Sequence, residues 1–217
     1  MGHLRHGYTN STTGDEFLVV KYFEGPDAAV RLQTERTMLR RYRGRLPVPQ
    51  LVRVSDSSIT TRFVPGEHGQ DLLDDGHARE VLTACGLLLR RVQSMPRRSG
   101  GVLVHGDFGP NNLLLDPETF EPTALLDWEW AHQGDPVEDL AWCEWIVRMH
   151  HPEHVPALPY LFEAYGEPAP PWPVRHAAML ARCKELLEFA GRWEPGGEGE
   201  ELWRARLETV SGWREVA

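Results

Sequence analysis

Val102-Leu-Val-His-Gly-Asp-Phe-Gly-Pro-Asn-Asn-Leu-Leu-Leu-Asp116 is the stretch whose reading decides the fold. An apolar run, Val102 to Val104, ends at His105. A Gly109-Pro110 turn follows, then Asn111-Asn112 and a second apolar run, Leu113 to Leu115. Apolar runs bounded by Gly, Pro and Asn read as strand, tight loop, strand. A third run, Ala124 to Leu126, ends at Asp127, and Pro117, Phe120 and Pro122 fit a hairpin turn before it. Asp107, Asn112 and Asp127 are thus delivered at strand ends. A rigid platform of Asp, Asn and Asp oxygens suits a hard cation carrying a nucleotide phosphate, because Mg²⁺ prefers oxygen ligands and usually takes one or two carboxylates from protein. A His-x-Asp alone, or two Asn after Gly-Pro, is ordinary turn chemistry; the three groups in this order separate the two readings.

The spacing sharpens the inference. His105-x-Asp107-x-x-x-x-Asn112 keeps the Asp-to-Asn separation of the kinase loop H-R-D-x-x-x-x-N. With Leu125-Leu-Asp-Trp-Glu-Trp-Ala131 behind it, the stretch resembles the aminoglycoside phosphotransferase and choline kinase family, which reads H-G-D-x-x-x-x-N and then D-W/F-E. The metal-bearing Asp127-Trp-Glu129 departs from the D-F-G that protein kinases carry at that place, and A-P-E is absent. The resemblance spans roughly residues 4–190. It implies an α+β, bilobal, protein-kinase-like fold, with a small β-sheet N-lobe carrying one helix (residues 1–65) and a larger, mainly helical C-lobe (residues 66–217).

The same resemblance implies roles. Asp107 would orient and deprotonate an acceptor hydroxyl, and Asn112 and Asp127 would hold Mg²⁺ on an ATP or GTP donor. Lys21 lies inside the apolar run Phe17 to Phe23, where a lysine is expensive to bury unless paired. Its family partner is a helix glutamate, and Glu35 is the best match, on a helix begun by Asp27 and carrying Val30, Leu32, Met38, Leu39 and Tyr42. Gly7, Thr9, Asn10 and Ser11 lie in a small, hydroxyl-rich loop that would meet phosphate oxygens. Phe63 and Val64 fall in the Thr61 to Gly66 stretch that resembles the interlobe linker recognising the base. The Arg36, Arg40, Arg41, Arg43 and Arg45 run reads as a solvated helix face.

Asp135-Pro-Val-Glu138 has the pattern of a helix N-cap with a capping box, and Asp139, one turn in, is placed to touch the catalytic loop. Helices are expected over 77–92, 157–165, 174–193 and 202–213, with a turn over 194–201. In the family the C-terminal helices build the acceptor pocket. Glu129, two residues past Asp127 on the same face of a continuing strand, and Glu185, Glu188 and Trp193 are the substrate candidates.

Composition narrows the partners. The chain has 217 residues and a net charge of −9, which argues against nucleic acid. No apolar run reaches the roughly 18–20 residues of a membrane span, and Met1 to Asn10 lacks a signal-type apolar core. Cys85, Cys143 and Cys183 fall on apolar helical faces without metal-ligand spacing and read as reduced thiols of a cytoplasmic protein. The expected acceptor is an aminoglycoside-like or other antibiotic, in resistance or a biosynthetic step. An amino alcohol, sugar or nucleoside is the alternative, and a catalytically silent kinase-like binding protein the rival class. The expected state is monomer or homodimer.

Overall fold

The structure is a computed structural model that describes residues 2–3, 10–96, 100–166 and 168–215. Its first part is an antiparallel sheet with one helix. Strands β1 (Gly2–His3), β2 (Asn10–Gly14) and β3 (Leu18–Phe23) precede helix α1 (Ala28–Tyr42), and β4 (Leu51–Val54) and β5 (Ser58–Arg62) follow it. The sheet order is β1-β2-β3-β5-β4. Asp15 makes the β2–β3 turn by accepting from the backbone N–H of Phe17 and Leu18, both at 2.9 Å. Leu32, Leu39 and Tyr42, at helical spacing on α1, are buried.

The chain leaves the sheet at Gly66, whose φ of 148° is costly for any residue with a Cβ. Strand β6 (Glu67–His68) and the short helix α2 (Gly69–Asp74) lead into α3 (Ala78–Gln93). The decisive stretch then forms β7 (Val102–Val104), a 3-10 turn at Pro110–Asn112, and β8 (Leu113–Leu115), which pairs with β9 (Pro122–Leu125). After Asp127 come a 3-10 turn at Trp128–Trp130, β10 (His132–Gly134) paired with β7, and α4 (Val137–His150). A 3-10 turn (Pro152–Ala157), α5 (Leu158–Tyr165), α6 (Trp172–Trp193) and α7 (Glu198–Ser211) complete the chain. It is a mixed fold of a small sheet and a larger helical part.

One apolar core runs from Leu32 and Ile59 through α3 to Trp128, Leu140 and Leu161. A second joins α4, α6 and α7 around Trp142, Trp145, Met179 and Val210. All three cysteines are free and buried. Among the described residues no helix is long and apolar enough to cross a membrane.

Two local expectations need correction. Asp27 holds the N-cap position of α1, but it is left-handed (φ 56°) and makes no capping hydrogen bond; its carboxylate meets Arg192 at 2.8 Å. Helix α7 starts at Glu198, inside the expected turn, because Glu198, Glu200 and Glu201 complement the positive end of the helix. Helix α2 and the two-residue strands carry no periodic signal and were not expected; tertiary pairing alone defines them.

Candidate active site

The loop after β7 is fixed from below. Asp139 accepts from the backbone N–H of His105 at 2.6 Å and of Gly106 at 2.9 Å. The expected capping box places it: Val137 N–H donates to the Asp135 carboxylate at 2.9 Å, and the Glu138 carboxylate accepts from Asp135 N–H at 2.6 Å. Gly106 is obligatory, since its φ is 84° and a Cβ there would lie 2.6 Å from the Trp130 carbonyl oxygen. The fully buried His105 ring bonds the Leu126 carbonyl at 2.8 Å and meets the Trp128 ring edge at 4.6 Å. Burial holds the His105 pKa below its usual value and pushes Asp139 above its own, against the donors it accepts from.

Asp107 is gripped on both oxygens. Trp142 Nε1 donates to Oδ1 at 2.8 Å, and Asn112 Nδ2 donates to Oδ2 at 2.8 Å and to the Asp107 carbonyl at 2.7 Å. Burial raises the Asp107 pKa; Trp142, Arg182 and Asn112 resist, and Asp127 adds to the rise. Trp142 cannot turn away, because it stacks on Trp145 with ring centroids 4.2 Å apart and planes 6° from parallel.

Beside this loop stands a charge array, buried at Lys21, Glu35 and Glu129 and open at Asp127. Lys21 Nζ lies 2.8 Å from Glu35, 2.9 Å from Asp127 and 3.7 Å from Glu129. Lys21 is 7% exposed and Glu35 6%. Burial alone would lower the Lys21 pKa, but the three carboxylates hold it above its usual value. Burial raises Glu35 to about 7 against the pull of Lys21. Burial would also raise Asp127, yet Lys21 prevails and holds it below the usual value. Asp127 is left-handed (φ 58°), which turns its carboxylate out of the strand ladder.

A cavity of about 330 Å³ connects these groups. Val19, Ile59, Phe63, Val64 and Leu114 line it along with Lys21, Glu35, Asn112 and Asp127. Asn112 gives its amide nitrogen to Asp107, and Asp127 gives Oδ1 to Lys21. One amide oxygen and one carboxylate oxygen are left, a hard donor set that fits Mg²⁺ shared with phosphate.

The remaining candidates divide. Gly7 and Thr9 lie outside the described residues. Ser11 pairs with Tyr22 across the β2–β3 ladder. Asn10 donates to Glu129 at 2.9 Å and accepts from Arg31 at 3.2 Å. The strand reading of Glu129 fails, because the 3-10 turn breaks the strand at Asp127 and buries Glu129 to 4% exposure, 2.6 Å from Arg31. Glu129 thus joins the second part of the chain to Asn10 and Arg31 of the first. Glu185 is exposed and pairs with Arg182 at 2.9 Å; Glu188 is exposed. Trp193 packs against Gly25, where a Cβ would lie 2.6 Å from its ring, and edge-on to Phe189.

Sequence reasoning missed Arg31, Trp142 and Arg182. Arg31 precedes Glu35 by one helical turn on the same buried face, so the period held a signal. Trp142 and Arg182 carried none, since a tryptophan in an apolar helix and an arginine on an amphipathic one are commonplace.

Residues 95–178 match the family model described as the phosphotransferase enzyme family. That segment carries Asp107, Asn112 and Asp127. Among solved structures, the chain superposes on aminoglycoside 2'-phosphotransferase-IIIa in its GDP complex with a TM-score of 0.74 at 14% identity, over 96% of this chain and 91% of that one. The fold is that of the aminoglycoside phosphotransferases. A second such phosphotransferase, APH(4)-Ia in ternary complex with ADP and hygromycin B, gives a TM-score of 0.70 at 17% identity, over 99% and 94% of the two chains. Beyond that phosphotransferase fold, acyl-CoA dehydrogenase family member 10 of Mus musculus is 48% identical over 48 residues, which is 22% of this chain and 4% of that protein. The chain thus spans a small fraction of that relative's length.

Proposed function

We propose that this chain is a Mg²⁺-dependent small-molecule O-phosphotransferase that moves the γ-phosphoryl group of ATP or GTP to a hydroxyl. The observation that carries the reading is Asp107, a half-buried carboxylate held on both oxygens, beside the Lys21–Glu35–Asp127 array that lines the cavity. Solved neighbours hold GDP, ATP or ADP, which supports a nucleotide donor.

Each residue has a distinct task. Lys21, aligned by Glu35, neutralises phosphate charge. Asn112 and Asp127 would hold Mg²⁺, which when bound would offset charge on the phosphoryl oxygens. Phe63 and Val64 take the base through the apolar part of the cavity. Asp107 orients the acceptor hydroxyl and takes its proton as the bond to the γ-phosphorus forms and the bond to the leaving β-phosphate oxygen breaks. A nucleoside diphosphate and a phosphate monoester result. The protein supplies position and charge, which dominate in phosphoryl transfer.

An aminoglycoside-like antibiotic, the sequence expectation, is a polycation and asks for carboxylates around the acceptor. The aminoglycosides held by neighbours favour it, whereas Arg182 beside Asp107 favours the opposite charge. The test of the class is Asp107→Ala. It is expected to keep its Mg-nucleotide-dependent rise in melting temperature while turnover falls by about 10²-fold or more. Full turnover in that variant would sink the mechanism.

A further inference from the structure

Arg182 has no assigned task, and its setting is unusual. It sits on α6 with its guanidinium carbon 5.0 Å from the Trp130 ring centroid and 5.9 Å from that of Trp142. Trp142 is the residue whose indole N–H grips Asp107. The cation therefore lies against the indole that holds Asp107, and its charge acts on that carboxylate. Its Nε is buried and, among the described residues, is one of the few buried side-chain polar atoms without a hydrogen-bond partner. Its one carboxylate contact, Glu185, reaches Nη1 from a side chain that is 64% exposed. An exposed i,i+3 pair of this kind is weak and readily exchanged. A guanidinium offers five N–H donors in a rigid fork, of which Glu185 uses one.

The other cation on Trp130, Arg31, is committed to Glu129. The two carboxylates that α6 carries near Arg182 are both exposed, and Glu185 is already paired. A polycationic acceptor would bring ammonium groups toward Arg182 with little to receive them. An acid would find a stacked, pre-oriented cation whose pairing with the exposed Glu185 is readily exchanged.

We infer that Arg182 binds an acidic group of the acceptor, so that the substrate class is small molecules carrying both a hydroxyl and a carboxylate or phosphate. This rests on the phosphotransferase reading and names the acceptor of the same site. Trp130 and Trp142 hold the fork, and Glu185 marks the position that the substrate acid takes over.

The experiment is a nucleoside-diphosphate-release screen with Mg·ATP and Mg·GTP over matched acceptors. Malate and gluconate form the carboxylate arm, and glycerol 3-phosphate and glucose 6-phosphate the phosphate arm. Glycerol and glucose are the neutral arm, and choline and kanamycin the cationic arm. Turnover is expected only in an acidic arm, and the arm that responds tells carboxylate from phosphate. Arg182→Gln should lower kcat/KM for that acceptor by about 10- to 100-fold, mainly through KM, with Arg182→Lys recovering part of it. The Mg-nucleotide melting shift should be unchanged in both variants, which also reports that they fold. A neutral or cationic best acceptor, or Arg182→Gln within twofold of wild type, overturns the inference. If no acceptor turns over, titration of tryptophan fluorescence with malate and glycerol 3-phosphate decides. A response that Arg182→Gln abolishes supports the inference, and none in the wild type overturns it. Failure of the phosphotransferase reading looks different: no Mg-nucleotide melting shift, whatever the anions do.

Discussion

Asp107 is set by neighbours that are remote in sequence, and Trp142 is the sharpest of them. A hydrogen bond to the ionised carboxylate favours that form, so the indole N–H keeps the Asp107 pKa lower than burial alone would make it. Trp142→Phe removes the donor and keeps the ring. The Asp107 pKa should rise, and the acid limb of the pH profile of kcat/KM should move to higher pH, with activity lost sooner on acidification. A merely structural role would lower the rate without moving the limb. Asp139 acts one step further back. Asp139→Asn replaces one of two acceptors with a donor facing a buried backbone N–H, which should cost about 1–3 kcal/mol in urea denaturation. A cost below about 0.5 kcal/mol would mean that the loop holds itself.

At the scale of elements, α1 joins the sheet to the helical part. Arg31 and Glu35 project from one face of it, Arg31 to Glu129 and Glu35 to Lys21. Both pairs are buried, so breaking one leaves an uncompensated charge rather than a solvated one. Arg31→Leu is expected to destabilise by about 3–5 kcal/mol, and the double variant Arg31→Leu/Glu129→Leu to recover much of that. Equal single and double costs would show that packing, not charge, joins the parts. The exposed Arg192–Asp27 pair between α6 and the start of α1 should matter far less, by under about 1 kcal/mol.

For the whole molecule the central test is linkage. A ligand that binds only the folded state stabilises it by about 2.7 kcal/mol at a hundred times its Kd. For a chain of this size that corresponds to a rise of roughly 5–10 °C in Tm. Mg·ATP or Mg·GTP should produce it in the wild type, and Asp127→Ala should lose its Mg-dependent part. No shift with either nucleotide at millimolar concentration would remove the basis for the proposed activity.

The fold was largely legible because its signals are local. Strand, Gly-Pro turn and strand around His105 to Asn112, the apolar period of α3, and the Asp135–Glu138 box each act within a few residues. The order of Asp107, Asn112 and Asp127 along the chain decided the family resemblance by itself, and that resemblance named Glu35 as the partner of Lys21. Only the tertiary structure decided who touches those groups. Trp142 meets Asp107 across 35 positions, and Arg31 meets Glu129 across 98. Glu129 is turned inward onto Arg31 because the chain kinks at Asp127, a φ that no periodicity reports. Hydrophobic pattern and turn chemistry act over one or two turns of chain, whereas a buried charge finds its partner only after distant elements have packed.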